Sequence, residues 1–422
     1  MENSTNVIRL RQPDEIDDPL TEVLRAGARR LLAQAVEMEA EAFLAAMQDL
    51  RLPDGRARLV RHGHGPEREI QTGIGPVPVA RVRIRDRGAT GAEDRVRFSS
   101  TILPKWARRT RNLDALLPVL YLRGVSTGDF QEALAALLGK DAPNLSSSVV
   151  TRLTATWADE YARWQARDLS ARRYVYVWAD GVYLQARMEE QAECMLVLIG
   201  ATHEGKKELV GFQVGVRESA QSWRELLVEV KRRGLAIAPE IAVGDGALGF
   251  WRALDEVFPG TRHQRCWLHK TANVLNKVPK SVQRAMKADL REIHGAPTRA
   301  QAEVAMAVFA EKYGSKYARA VECLTKDREA LLAFYDLPAE HWDHLRTTNP
   351  IESVFATVRH RTVRTKGALS PTTAKLMVFK LVMAAAKSWR RLKGENQLPK
   401  VVAGVTFRDG TEVIARPDHR AA

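Results

Sequence analysis

The sequence has 422 residues, 45% of them hydrophobic, so the chain is long enough for several domains and apolar enough to exclude a wholly disordered protein. A formal net charge of +14 favours a polyanionic partner, above all nucleic acid, although a basic surface that serves only solubility is the alternative. Three widely spaced cysteines argue against a disulfide framework and a four-cysteine zinc site. No apolar run approaches the roughly 18 residues of a membrane span. With no signal peptide at the start, we expect a cytoplasmic, nucleoid-associated protein without a membrane partner.

Residues 1–50 predict a helical segment from about Pro19 onward. This window carries five Lys/Arg against ten Asp/Glu, so its exposed face is a poor DNA-binding surface. We interpret it as a packing or self-association segment, and an ordinary capping helix fits the pattern equally well.

Residues 51–110 carry fourteen Lys/Arg against six Asp/Glu. A turn-rich link over 53–65 precedes predicted strands at 69–73 and 77–87. In the second strand basic and apolar residues alternate, so one face presents guanidinium groups that can follow a phosphate backbone without reading bases. A solvated strand face is the alternative. The predicted DNA contacts here are Arg81, Arg83 and Arg85.

Residues 111–170 predict helices joined by a glycine-bearing turn, a pattern compatible with a helix-turn-helix. The second helix, capped by Ser146 or Ser147, would place its first turns in the major groove. Helical bundles that bind no DNA have the same pattern. The side chains predicted to face DNA are Ser147, Ser148, Thr151 and Arg152.

Residues 171–278 predict a mixed α/β sheet, because three strands with short connections are followed by helix, strand, helix and strand. Asp180 lies within the first strand and Asp245 at the end of the fourth. Since both lie on one sheet, they are candidates for chemistry. The five predicted strands are 174–184, 194–201, 208–216, 241–243 and 261–266.

Cys266 and His269 stand three residues apart where the fifth strand gives way to a helix. As zinc ligands they would need two further partners, and the sequence shows none. An ordering role beside a catalytic site is favoured, and a core cysteine next to a capping histidine is the alternative. Residues 279–345 then predict an all-helical insertion.

Residues 346–400 predict two closing helices, with 401–422 as a tail. Asn349 can cap the first helix with Pro350 at its first position, and Glu352 then falls at the third. A capping-box glutamate is therefore the plain interpretation of Glu352. Eleven Lys/Arg against two Asp/Glu in 351–400 suggest more phosphate contacts. These predicted contacts are Arg359, Arg361, Arg364 and Lys366.

Four motifs, in this order, resemble those of the bacterial Mutator-type insertion-sequence transposases. They are Ala179-Asp180-Gly181-Val182-Tyr183, Gly244-Asp245-Gly246, Cys266-x-x-His269 and Thr348-Asn349-Pro350-Ile351-Glu352-Ser353. Each is weak alone, but the ordered set is specific and covers most of the chain. The resemblance implies a ribonuclease H-like catalytic domain with an Asp-Asp-Glu triad of Asp180, Asp245 and Glu352, with Cys266 and His269 in support.

The same resemblance implies an enzyme that binds the terminal inverted repeats of double-stranded DNA, cleaves them and transfers the strands, as a homodimer or larger homo-oligomer. Strand transfer is an in-line displacement at phosphorus, for which two Mg²⁺ ions, replaceable by Mn²⁺, would activate the attacking oxygen and neutralise developing charge. Mg²⁺ prefers carboxylate oxygens, so the triad residues are also the expected metal ligands. The alternatives are a non-catalytic DNA-binding repressor or architectural protein on the same scaffold, and a ribonuclease H-type nuclease.

Overall fold

The chain folds as a mixed α/β protein that divides into two compact units, residues 1–153 and 154–422. Within the residues described here, no helix combines the length and apolarity that crossing a membrane requires. The computed structural model describes residues 19–91, 93–110, 147–184, 193–215, 218–246, 248–352, 355–356, 358 and 371–414.

The first unit packs one long helix against short antiparallel strands. Strand β1 pairs with β4, and β2 pairs with β3. Alternate residues of β3 point inward, so Val77 and Val79 join Val36 and Ala40 of the helix in a small core. The elements are α1 (Pro19–Ala46), β1 (Leu59–His64), β2 (Arg68–Thr72), β3 (Gly75–Val79) and β4 (Val82–Asp86).

Two sequence predictions for this unit were wrong. The predicted turn-rich link over 53–65 contains β1, whose polar residues after Val60 face solvent and hide the strand pattern. The single strand predicted at 77–87 is two strands, because the chain leaves β3 at Val79 and begins β4 at Val82.

The chain after β4 returns to the edge of β2. The backbone N–H of Gln71 donates to the carbonyl of Arg108 (2.9 Å), and the N–H of Thr110 donates to the carbonyl of Gln71 (2.9 Å). Leu103 is buried in the small core and holds this returning segment in place.

The second unit is organised around a five-stranded sheet, which confirms the predicted mixed sheet. Its strand order is β7-β6-β5-β8-β9. Strands β7, β6 and β5 are antiparallel neighbours, whereas β5, β8 and β9 run parallel. The elements are α2 (Ser147–Gln165, which begins in the first unit), β5 (Tyr174–Leu184), β6 (Glu193–Thr202), β7 (Lys207–Gly215), α3 (Ala220–Arg232), β8 (Ile241–Gly244), α4 (Leu248–Val257) and β9 (Arg262–Arg265).

Both faces of the sheet are covered. On one face, Val177 and Ala179 of β5 pack with Trp223 of α3 and Phe250 of α4. On the other, Tyr176 and Trp178 meet the helical part of the chain, where the Trp178 Nε1–H donates to the carbonyl of His344 (2.8 Å). Packing and hydrogen bonds therefore hold the sheet in place on both of its faces.

Helices dominate the remainder of the second unit that the structure describes, and residues 407–412 form a two-stranded hairpin. All three cysteines, Cys194, Cys266 and Cys323, are free thiols and buried. The elements are α5 (Trp267–Leu275), α6 (Lys280–Gly295), α7 (Arg299–Thr325), α8 (Arg328–Leu332), α9 (Trp342–Leu345), α10 (Pro371–Ala386), α11 (Leu398–Val402), β10 (Phe407–Arg408) and β11 (Thr411–Glu412).

Candidate active site

Asp180 lies on β5, and Asp245 directly follows the neighbouring parallel strand β8. Ala179 of β5 is in register with Gly244, the last residue of β8, so each aspartate is the residue after this registered pair. Adjacent strands are about 4.8 Å apart, and registered residues share a face. This is the face that also carries Tyr176 and Trp178, by the alternation along β5.

Cys266 directly follows β9 and continues this row. Gly244 is in register with Arg265, and the N–H of Cys266 donates to the carbonyl of Gly244 (2.8 Å). The row Asp180, Asp245 and Cys266 therefore crosses three strands at one level of the sheet.

Local hydrogen bonds fix both aspartates. Asp180 Oδ1 accepts the N–H of Gly181 (2.8 Å), and Asp245 Oδ1 accepts the N–H of Gly246. The carbonyl of Asp245 also accepts the indole N–H of Trp251 (2.7 Å) and Nη1 of Arg265 (2.9 Å). The backbone that carries the second carboxylate is thus held by two side chains.

Glu352 is tied to this row through Thr348. The Thr348 hydroxyl donates to Glu352 Oε1 (3.0 Å), and the Thr348 N–H donates to Cys266 Sγ (3.3 Å). Thr348 is fully buried and Cys266 nearly so. A buried threonine therefore links the thiol at the end of β9 to the glutamate.

The helix that carries Glu352 begins one residue earlier than predicted. Helical structure starts at residue 349, and the carbonyl of Thr348 accepts the N–H groups of Ile351 (2.8 Å) and Glu352 (3.1 Å). Thr348 therefore caps the helix in place of Asn349. The Glu352 carboxylate accepts the hydroxyl of that capping residue, which differs from the predicted capping-box bond to a backbone N–H.

The electrostatics of the site reflect converging carboxylates. Burial, reinforced by the charges of Asp245 and Glu352, raises the pKa of Asp180 to about 6 against the opposing charge of His269. The carboxylate of Asp180 is thus costly to ionise in the absence of a compensating cation.

A fourth carboxylate, Glu218, was missed by sequence reasoning. Burial and the charges of Asp180 and Asp245 raise the pKa of Glu218 to about 7. A Cβ on Gly181 would lie 2.5 Å from Glu218 Oε1, so a glycine at this position leaves room for the carboxylate. The available signal was an acidic residue just before Ser219, the N-cap of α3, which is too common to identify a site.

His269 lies in the first turn of α5, beside Cys266. The neighbouring Cys266 side chain, together with the charges of Asp180 and Asp245, raises the pKa of His269 to about 9 although burial opposes the charge. Within the described part of the chain, Nδ1 of His269 is buried without a hydrogen-bond partner. His269 therefore combines a ring nitrogen without a partner with a pKa that the charges of the two aspartates help to raise.

Ligand atoms of Cys266, His269 and Glu352 lie within 4.8 Å of one another. The structure thus brings one potential further ligand, Glu352, to Cys266 and His269, whereas a tetrahedral zinc site would require two. Thiol and imidazole donors suit softer ions than Mg²⁺, and Thr348 already donates its N–H to the sulfur. This mixed donor set is therefore a poor match for a hard cation.

Trp267, between Cys266 and His269, serves packing. It is 1% exposed and its indole N–H donates to the carbonyl of Leu331 (2.9 Å), so it has no face available for stacking on a base.

The predicted DNA contacts are only partly described. Arg83 and Arg85 are exposed on β4, and Arg81, just before this strand, is half-buried. Ser147, Thr151 and Arg152 lie in α2, whose first residues are described without their side chains. Four further predicted contacts lie outside the described residues: Arg359, Arg361, Arg364 and Lys366.

Comparison with known proteins places the chain in a family. The family model for transposases of the Mutator family matches residues 1–391. The transposase for insertion sequence element IS6120 of Mycolicibacterium smegmatis is 49% identical over 305 residues, 72% of this chain and 94% of that protein. The transposase for IST2 of Acidithiobacillus ferrooxidans is 51% identical over 287 residues, 66% of this chain and 95% of that protein. The transposase for IS256 in transposon Tn4001 of Staphylococcus aureus is 26% identical over 328 residues, 76% of this chain and 80% of that protein. The chain belongs to the Mutator family of transposases.

Proposed function

We propose that this chain is the Mg²⁺-dependent transposase of an insertion sequence, and that Asp180, Asp245 and Glu352 carry the chemistry on a ribonuclease H-like domain. It binds the terminal repeats of its element in double-stranded DNA, cleaves there and joins the freed 3′-OH to a target strand. The family membership supports the reaction class, since the relatives of high identity are transposases of insertion sequences.

The observation that carries the proposal is the registered pair of aspartates, together with the effect of the Glu352 charge on Asp180. Asp180 and Asp245 follow paired residues of parallel strands, and the charge of Glu352 acts on Asp180. The strand order, with three antiparallel strands followed by two parallel ones, supports the ribonuclease H-like assignment.

The donor set fits magnesium. Asp180, Asp245 and Glu352 would hold the ions, because Mg²⁺ is a hard cation that prefers carboxylate oxygens. The raised pKa of Asp180 has a physical cause that a cation would remove, namely burial beside other negative charges. Bound Mg²⁺ supplies activation of the attacking oxygen and neutralisation of charge at phosphorus.

The other side chains of the site hold Glu352 in place and offer a hydrogen bond to the substrate. Thr348 fixes the glutamate by its hydroxyl, and Cys266 fixes Thr348 by accepting its N–H. His269 presents a buried N–H that has no partner in the described part of the chain, and a phosphate oxygen is a suitable acceptor. In-line displacement at phosphorus requires no covalent protein intermediate, so no nucleophilic side chain is needed.

The residues that hold the DNA lie outside the carboxylate site. Arg81, Arg83 and Arg85 provide phosphate contacts, which position a duplex without reading its sequence. Helix α2, with Ser147, Thr151 and Arg152, reads the repeat, and the basic stretch with Arg359, Arg361, Arg364 and Lys366 contacts phosphates. Two element ends must be brought together, so the working form is a homodimer or larger homo-oligomer.

The test is cleavage of a duplex made from the DNA that flanks the gene and carries its terminal repeat. Asp180→Asn and Glu352→Gln should each abolish cleavage in Mg²⁺ while DNA binding persists. Glu311→Gln, an acidic residue on the exposed surface of α7, is the matched control and should cleave normally.

Each alternative function predicts a different result. Cleavage that survives either triad substitution would refute the triad. A wild-type protein that binds the duplex but never cuts it in Mg²⁺ or Mn²⁺ would be a repressor or architectural protein. Equal cutting of duplexes with and without the repeat would indicate a ribonuclease H-type nuclease.

A further inference from the structure

A turn in the first unit holds a tryptophan out in solvent. The N–H of Ala107 donates to the carbonyl of Pro104 (3.0 Å) and closes the turn. Leu103 and Ala107, on either side, pack into the small core of the unit. Trp106 at the corner is nevertheless 81% exposed. The turn is thus anchored at its base while its largest apolar side chain is displayed.

A cavity of about 450 Å³ lies beside this turn, within the range of roughly 300–1,000 Å³ typical of small-ligand sites. It is formed by the turn together with β2, the strand against which the returning segment is hydrogen-bonded. The lining side chains that matter are Arg68, Glu69, Gln71, Lys105, Trp106 and Arg108.

Gln71 brings an unused hydrogen-bond donor to the cavity. Its side chain is 4% exposed, and Nε2 has no hydrogen-bond partner in the part of the chain that the structure describes. A buried donor without an acceptor destabilises the folded protein, because the donor has lost its hydrogen bonds to water. A ligand with a carbonyl oxygen or an unprotonated ring nitrogen would satisfy it.

The charge at the cavity is positive. Three cations, Arg68, Lys105 and Arg108, stand against the single carboxylate of Glu69. The guanidinium of Arg68 donates to the neutral carbonyls of Pro104 and Lys105, so these bonds hold the group in place without cancelling its charge. The Lys105 ammonium lies 5.1 Å from the centroid of the Trp106 ring, which places a cation beside the aromatic surface.

We propose that this cavity binds one unpaired nucleotide of DNA, its base against Trp106 and its phosphate beside the three cations. An aromatic ring, an unused amide donor and excess positive charge match the three parts of a nucleotide that a protein can recognise without base pairing. The nucleotide site rests on the proposed function in one respect, namely that DNA is the substrate. Cleavage of that DNA produces strand ends whose bases can leave the duplex.

The test compares two labelled duplexes of identical sequence, one with an overhang of three thymidines and one with three abasic residues, which keep the phosphates. Binding of the full chain is measured by fluorescence anisotropy at fixed salt. The wild type should bind the thymidine overhang about tenfold more tightly, since stacking contributes about 1–3 kcal/mol per base. Trp106→Ala should remove this preference and leave affinity for the abasic duplex unchanged.

Further variants separate stacking from folding. Trp106→Phe should keep part of the preference, and Gln71→Leu should reduce it several-fold. Ile102→Ala, an exposed residue of the same segment that does not line the cavity, is the matched control and should bind like wild type. Melting curves check that each variant is folded.

Two results would overturn the nucleotide site while leaving DNA binding intact. One is equal wild-type affinity for the two overhangs, and the other is a Trp106→Ala variant that keeps the full preference. If the wild type binds neither duplex, DNA binding itself fails and the site fails with it.

Discussion

Replacing Thr348 by valine tests how the chain holds Glu352. Valine has nearly the shape of threonine, so it removes the hydroxyl that donates to Glu352 Oε1 (3.0 Å) and preserves the packing of a fully buried side chain. The bond from the Thr348 N–H to Cys266 Sγ belongs to the backbone and survives the change. The substitution therefore removes the bond to the carboxylate together with a longer contact of 3.5 Å between the Thr348 hydroxyl and Cys266 Sγ.

The expected magnitude follows from the charge of the acceptor. Hydrogen bonds to charged groups contribute about 1.5–3 kcal/mol, and about 1.4 kcal/mol corresponds to a factor of ten. Loss of this bond should lower single-turnover cleavage about 10- to 100-fold and raise the Mg²⁺ concentration that gives half-maximal rate. DNA affinity should not change, because Thr348 lies beneath the glutamate and is inaccessible to DNA.

The assay is single-turnover cleavage of the repeat-bearing duplex across a Mg²⁺ titration, with DNA affinity and melting temperature measured on the same samples. Thr348→Ser retains the hydroxyl and should stay close to the wild-type rate. Cleavage by Thr348→Val within twofold of wild type would refute the reasoning. Equal losses in the serine and valine variants would show that the methyl group, and not the hydrogen bond, matters.

Three further predictions concern pH and salt. In metal-free protein, Asp180→Asn should raise the free energy of unfolding at about pH 8 but not at about pH 4. Burial is the main cause that raises the pKa of Asp180 from 3.8 to about 6. The wild-type protein therefore loses about 3 kcal/mol of stability as the pH rises through that interval and the carboxylate ionises. Asp86→Asn should lower the melting temperature near neutral pH and have less effect in acid. Hydrogen bonds from Arg58 stabilise the ionised Asp86 and hold its pKa below the ordinary value, so their contribution to stability is lost when the carboxylate is protonated. Replacing Arg83 and Arg85 together by alanine should weaken binding to all DNA sequences alike and reduce the slope of log affinity against log salt by about 2.

Controls distinguish these effects from general damage. For Asp180, an equal gain in melting temperature at both pH values would contradict the electrostatic origin. For Asp86, a loss that does not depend on pH would show that packing dominates. Lysine in place of Arg83 and Arg85 keeps the charge and should keep the salt slope, whereas an unchanged slope in the alanine variant would remove β4 from the DNA-binding surface.

Much of the second unit could be predicted from the sequence because its elements are long and strongly patterned. Strand β5 (Tyr174–Leu184) has the predicted bounds, and its run of β-branched and aromatic residues is typical of a strand. Helices α3 and α4 follow in the predicted order. The order of the elements indicated a mixed sheet with both aspartates on it, and the parallel pairing of β5 and β8 brings Asp180 and Asp245 to the same level of that sheet. In the first unit β1 was missed because its residues after Val60 are polar.

What the sequence could not show depends on contacts between distant residues. Thr348 meets Cys266 across 82 residues of chain, and no local pattern predicts such a bond. Glu218 reaches the space above Gly181 only because the sheet and the start of α3 are packed together. The cavity beside Trp106 likewise forms only when the returning segment pairs with β2, since Gln71 and Arg108 are otherwise unconnected.

The burial of every thiol in this chain has a practical consequence for spectroscopy. Because Cys194, Cys266 and Cys323 are all enclosed, maleimide dyes should react slowly with the folded wild-type protein. A single cysteine introduced at Val308, which is 57% exposed on α7, would then take up a fluorophore selectively. Distances between labelled copies of the chain on one DNA molecule become measurable without first replacing the native thiols.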